Sequence, residues 1–314
     1  MRFPGTACPS SGSASKPTAI REAAESALRR SERLETWRLL PHQADEGASH
    51  MALDQALLEC AAEPSFPPTL RFQRWIPPAL SLGRFQKLEE IDLEACAGSG
   101  VQVVRRPTGG KSILHLEDFT YSLVLPSYMS LPSGVVETYA LIGRGIVAAL
   151  RLLGLDPVIH VGGGAKRTPS SAACFASSTQ ADIRCGERKV CGSAQLRRGG
   201  AVLQHGSVLL KDRSEFHFRL LRFEGGTERS SSLLAYRRNC ASLEELGVEV
   251  SWEEMAECLR RGFEESFDIR LREEPLREVE ELRWRSLIPA YRSREWLHNP
   301  HRLELPPLAE EMVP

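Results

Sequence analysis

The stretch ADIRCGERKVCGSAQLRRGGAVLQHGSVLL, residues 181 to 210, constrains the fold more than any other part of the chain. Three runs of strand-type residues are broken at Gly186-Glu187 and again at Gly199-Gly200. Glycine in so short a link supplies the backbone freedom that a tight hairpin needs. The segment therefore reads as a meander of strand, turn, strand, turn, strand, the seed of an antiparallel sheet.

The rest of the chain fits around that sheet. ASHMALDQALLECAAE (48–63) has good helix formers and an apolar face through Met51, Gln55, Leu58 and Ala62. TLRFQRW (69–75) alternates like a strand, and PPALSLGRFQ (77–86) is a second, Pro-opened strand ending on Gly83. VQVVRR (101–106) is a short β-branched run, after which SILHL and FTYSLVLP alternate again. Between 132 and 155, Val136, Tyr139, Ala140, Val147 and Leu150 fall at helical spacing. PVIHV (157–161) is a further strand, and EGGTERSSSLL (224–234) reads as a linker. Helices are expected over 251–267, opened by a Ser251/Glu254 capping box, and over 276–290. The class is α+β, a mostly antiparallel sheet with flanking helices and a small helical C-terminal part. The expected organisation is a polar tail over 1–34, a catalytic domain over 35–247 and a helical extension over 248–314.

Composition narrows the function. With 40 basic and 41 acidic residues and a net charge of −1, the chain has no nucleic-acid footprint. No uncharged apolar run approaches the ~18 residues of a membrane span, and the N-terminus lacks the apolar stretch of a secretory signal. The eight cysteines form no C-x-x-C pair and no Cys/His cluster with zinc spacing. Reduced thiols in a cytoplasmic protein are expected.

RRPTGGKSILH (105–115) looks like the tail of a phosphate-binding loop. A P-loop requires a glycine at 105, where Arg105 stands, and a helix after Ser112, where the sequence is strand-like. Both halves of the signature fail. Gly109-Gly110 is then either a plain turn between two strands or a backbone that lets a ligand approach closely. In the second case Arg105 and Arg106 stand ready for an anionic or polar end.

Cys174 lies in a loop of roughly twenty residues without regular pattern, flanked by small residues. A thiolate there needs a nearby cation, and Lys189 at the start of the next hairpin strand is in reach. Gly192-Ser193-Ala194 and Gly206 put small residues on neighbouring strands, which leaves a groove for an extended ligand. His115 is a candidate polar site residue, whereas His205 reads as a structural or supporting histidine. Cys185 and Cys191 read as core residues; Trp75, Trp252, Trp284 and Trp296 read as packing aromatics.

Taken together, RRPTGGKSILH…FTYSLVLP, ACFASSTQADI and GERKVCGSAQLRRGGAVLQHGSVLL resemble the lipoate and biotin protein ligase superfamily. Within it they are similar to the monomeric, cysteine-dependent octanoyltransferases. HMALDQALLE, LRFQRWIPPALSLGRFQ and YRSREWLHNP extend the resemblance from about residue 35 to about 298.

The resemblance implies the sheet-and-helix fold of the ligase catalytic domain. It makes Arg105, Arg106, Thr108, Gly109, Gly110 and His115 one wall of an acyl tunnel. Gly192, Ser193 and Ala194 line the facing strand, with His205 and Gly206 beneath. Lys189 matches the essential lysine and Cys174 the nucleophile; Lys111 replaces the usual Arg or Gly. Implied is octanoyl transfer from octanoyl-acyl carrier protein through a Cys174 acyl-enzyme, without cofactor or ATP. The implied acceptor is the lysine of a lipoyl domain, on glycine cleavage H protein or a 2-oxoacid dehydrogenase E2 subunit. No metal, nucleic acid or membrane is implied, and the expected state is monomeric. An ATP-dependent lipoate–protein ligase, an octanoyl amidotransferase between lipoyl domains and a silent acyl- or biotin-binding scaffold are the alternatives.

Overall fold

The meander forms where the sequence places it, as strands Ala181–Cys185, Arg188–Arg198 and Ala201–Leu209. Gly186, Gly199 and Gly200 take positive φ at its turns. A computed structural model describes residues 35–161 and 181–300. The tail expected over 1–34, the loop expected around Cys174 (residues 162–180) and residues 301–314 lie outside the described residues.

In chain order, strands β1 (Glu35–Leu39) and β2 (Gln43–Asp45) precede helix α1 (Gly47–Cys60). Next come β3 (Thr69–Trp75), β4 (Ala79–Leu82), α2 (Leu93–Gly98), β5 (Gln102–Arg105), β6 (Ile113–His115) and β7 (Asp118–Leu125). Helix α3 (Val135–Leu152) leads to β8 (Pro157–Val161), and the meander supplies β9, β10 and β11. The chain continues through α4 (Ser214–Arg219), α5 (Gly226–Asn239), α6 (Trp252–Phe267), β12 (Ile269–Glu273), α7 (Glu278–Arg292) and α8 (Arg294–His298).

The larger sheet runs β12-β1-β3-β7-β11-β10-β9-β8, with β2 beside β3; a three-stranded sheet runs β5-β4-β6. The pairs β7–β11, β11–β10, β10–β9 and β9–β8 are antiparallel, the two inside the meander as their hairpin turns dictate, whereas β1 pairs parallel with both β3 and β12. The class is α+β with a mixed, predominantly antiparallel sheet.

One face of the large sheet is covered by α3 and α6. Ile142, Ile146, Leu259 and Phe263 pack there on Leu70, Leu123 and Val202. The other face takes α1, whose Leu53 and Leu57 meet Val124 and Leu203. Its Ala48 and Met51 pack with Trp75 and Val104, and α7 closes over them through Leu287 and Tyr291. Helix α1 is therefore buried along its whole length rather than on the single face expected. Its polar residues must find partners inside the protein. Glu59 does so with Arg283 at 2.5 Å, and Glu280 of α7 pairs with Arg38 at 2.7 and 2.8 Å.

Two readings of the sequence are corrected. The supposed linker at 224–234 is the start of α5, which docks Leu233 and Tyr236 against Phe218. Tertiary packing overrides the weak helix propensity of its Gly/Ser run. The C-terminal part also contains a strand: β12 adds to the large sheet with Trp37 opposite Leu271. The capping box forms, Ser251 and Glu254 bonding each other's backbone.

Candidate active site

Where the two sheets approach each other beside α1, they leave a pocket of about 390 Å³, its open mouth included. Met51, Gln73, Trp75, Ile113 and Thr120 make one side. Gly192, Ser193 and Ala194 of β10 with His205, Gly206 and Ser207 of β11 make the other, and Arg106 and His115 complete it. Gly192 stands opposite Ser207 and Ala194 opposite His205 across the β10–β11 pair. Directly opposed residues share a face, so small side chains leave open the space above the polar ones. Gly206 faces the other way. A Cβ there would meet Ser193 Oγ and Tyr121, whose hydroxyls bond each other at 2.8 Å.

Two buried chains, each running from a carboxylate through histidine to hydroxyl, brace the walls. Asp54 on α1 sits 2.8 Å from Arg71 and takes a hydrogen bond from Ser122 at 2.7 Å. Burial works against its charge, but Arg71, His205 and Ser122 outweigh that and hold its carboxyl below the ordinary value. His205 Nδ1–H donates to this carboxylate at 2.8 Å, which leaves Nε2 to accept from the Thr108 hydroxyl at 2.6 Å. Burial lowers the His205 pKa despite Asp54, so the ring is neutral in this tautomer.

In the second chain, His115 Nδ1–H donates to Asp118 at 2.8 Å and Nε2 accepts from the Ser81 hydroxyl at 2.7 Å. Ser81 Oγ in turn accepts from Arg106 at 2.8 Å, and Ser207 donates to Asp118 at 2.7 Å.

The glycine turn is built by these groups. Arg106 donates to the carbonyls of Gly109 at 3.1 Å and Lys111 at 2.9 Å, curling the backbone back on itself. Gly110 takes φ +101° and packs so closely on Gly83 that a Cβ on the latter would strike its carbonyl. Gly109 and Gly110 shape the turn without lining the pocket. Arg105 also lies outside it. Its guanidinium donates to the carbonyls of Gly83 (2.8 Å), Arg84 (3.2 Å), Gln86 (2.7 Å) and Leu297 (2.8 Å). The expectation that both arginines wait for a ligand is thus corrected for Arg105, whose alternating strand position turns it away. Lys111 points outward to Glu90 at 2.9 Å.

Lys189 is not among the pocket's lining residues. It is buried at the start of β10, 2.8 Å from Asp182 of β9. Among the sequence's candidates, Arg106, His115, Gly192, Ser193, Ala194, His205 and Gly206 meet in one pocket, with Thr108 bonded behind His205. Cys174 lies outside the described residues. Sequence reasoning missed Asp54, Asp118 and Asp182, because a carboxylate that partners a distant side chain carries no local signature. Trp75, read as packing, lines the pocket and stacks on His115. Among the described residues no group of three or more His, Cys, Asp or Glu could hold a metal, and no helix is long and apolar enough to cross a membrane.

Residues 46–264 match the family model described as the lipoyl protein ligase A/B catalytic domain. The chain belongs to this family. Among curated relatives, the protein named Octanoyltransferase LipM from Carboxydothermus hydrogenoformans is 37% identical, covering 84% of this chain and 99% of its own. The one from Geobacillus kaustophilus is 38% identical, covering 83% and 98%. Among solved structures, a bipartite lipoate protein ligase from Thermoplasma acidophilum superposes with a TM-score of 0.73 at 27% identity, covering 87% of this chain and all of its own. A lipoate-protein ligase A bound with ATP gives 0.69 at 27%, covering 84% and 98%. The family's catalytic domain spans the pocket walls, Asp182 and Lys189.

Proposed function

We propose that this protein transfers an octanoyl group to the lysine of a lipoyl domain, in protein lipoylation. The observation that carries this reading is the set of relatives named Octanoyltransferase LipM, 33 to 39% identical over most of the chain. The pocket suits it: its walls are largely apolar or small, and its polar atoms are already bonded to one another, as an alkyl chain requires.

The donor in this reading is octanoyl-acyl carrier protein and the nucleophile is Cys174. Its thiolate attacks the donor thioester; a new carbon–sulfur bond forms at Cys174 and the carrier leaves as a thiolate, which takes up a proton. The neutral amine of the acceptor lysine then attacks the acyl-enzyme. A carbon–nitrogen bond forms, the bond to Cys174 breaks, and the amine's proton passes to the sulfur. One difficult transfer becomes two easier ones, the first nearly isoenergetic and the second driven by the stability of the amide. The Lys189 ammonium stabilises negative charge at the thiolate and at the developing oxyanion.

A second reading, an ATP-dependent ligase, is favoured by the likeness to the ligase bound with ATP. Two parallel reactions with a lipoyl domain separate them. Octanoyl-acyl carrier protein without ATP is expected to modify the domain. Modification only from free octanoate with ATP would make the chain a ligase.

A further inference from the structure

Both the main chain and the side chain of Lys189 are fixed. Its carbonyl accepts from the Ala241 amide at 2.9 Å, and its ammonium lies 2.8 Å from Asp182 Oδ1. The β9–β10 pairing shows why it points there. Arg184 stands opposite Lys189, but Ile183 stands opposite Cys191, so Val190 is an extra residue in β10. Such a bulge re-aims the side chains around it. Asp182 and Arg184, two residues apart on β9, share a face, and Lys189 reaches the carboxylate diagonally. Arg184 approaches the other carboxylate oxygen, Oδ2, at 3.7 Å from a more exposed position.

A buried ion pair is a weak source of stability, since desolvation of both charges offsets their attraction. The Lys189 and Asp182 side chains are 2% and 0% exposed. What such a pair provides is a charge at a fixed point on an otherwise flexible four-carbon stem.

We propose that Asp182 is a positioning residue that holds the Lys189 ammonium where it acts on the acyl group. This rests on the proposed function, in which Lys189 is part of the machinery. Asp182 makes no contact with substrate in this role; it acts through Lys189 alone.

The test is steady-state octanoyl transfer from octanoyl-acyl carrier protein to a lipoyl domain, by wild type, Asp182→Asn, Lys189→Met and the double variant. Thermal unfolding checks that each is folded. Asp182→Asn is expected to lower kcat on the order of 100-fold, the cost of a misplaced catalytic group, with KM for both substrates unchanged. The double variant is expected to be no slower than Lys189→Met, because a residue acting only through Lys189 has nothing left to do. Wild-type kcat in Asp182→Asn, or a double variant slower than Lys189→Met, overturns the role. If Asp182→Asn fails to fold, the double variant, which leaves no lysine charge unpaired, decides the matter against Lys189→Met. A wild-type protein that transfers nothing would instead remove the proposed function, and this role with it.

Discussion

His115 lies flat on Trp75, ring centroids 3.8 Å apart and planes 4° from parallel. The stack joins the two sheets, since His115 belongs to the small one and Trp75 to the large one. The Trp75 indole N–H donates to Thr120 Oγ1 at 2.8 Å and pins the wall from behind. Trp75→Ala is expected to widen the pocket and to destabilise the fold by about 3–5 kcal/mol. Transfer rates across six- to twelve-carbon donors check this: the variant's optimum should move to longer chains.

The two members of the Arg-Arg pair are expected to fail differently. Arg105→Gln strips the charged donor from four carbonyls, one of them on α8. Each hydrogen bond to a charged group contributes about 1.5–3 kcal/mol. Hydrogen exchange should report faster opening over 293–300, with less change in the meander. Arg106→Gln acts on the pocket, releasing Ser81 and the glycine turn together, and should raise KM for the octanoyl donor.

Glycines at the site separate by geometry. Gly206→Ala puts a Cβ against Ser193, Tyr121 and the Gly192 carbonyl and should cost about 1–3 kcal/mol, as overpacking does. A Cβ on Gly109 meets nothing nearer than Phe85 at 4.0 Å, so Gly109→Ala should stay within about 0.5 kcal/mol. Denaturant midpoints distinguish the two.

Acid should weaken the fold well above the carboxylate range. Burial pushes His50 down to about 4 and His217 down to about 3, from 6.5. The unfolded chain therefore binds protons that the native one refuses. Stability is full above pH 6.5 and falls as pH drops toward 4, with about 3 kcal/mol at stake for His50. Asp54, held low, adds its own loss only as pH falls below 3.8. His217→Gln should flatten the slope of unfolding free energy over pH 6.5 to 4 by about 1.4 kcal/mol per unit.

Much of this is legible in the sequence. Hairpin glycines at 186, 199 and 200, and the alternation of β3 and β7, fix local pairing because their signals are local. Arg106, His115, Gly192 and His205, which meet in the pocket, stand out in the sequence for the same reason, each lying in a short motif. What escaped were the supports. Asp54 is 151 residues from His205, and nothing near it in sequence marks a partner. The helix at 226–239 escaped because its stability comes from Phe218 and Tyr236, not from its own Gly and Ser residues. For Arg105 the pattern shows that two arginines are adjacent, not that strand alternation sends them to opposite sides.

The acyl-enzyme is tested most directly by intact mass. Purified protein and its Cys174→Ala variant are each mixed with octanoyl-acyl carrier protein, without ATP and without acceptor. We expect one octanoyl group added to the wild type only, and its loss when a lipoyl domain is supplied. An unmodified wild type, beside a lipoyl domain that becomes octanoylated equally well with Cys174→Ala, would contradict it.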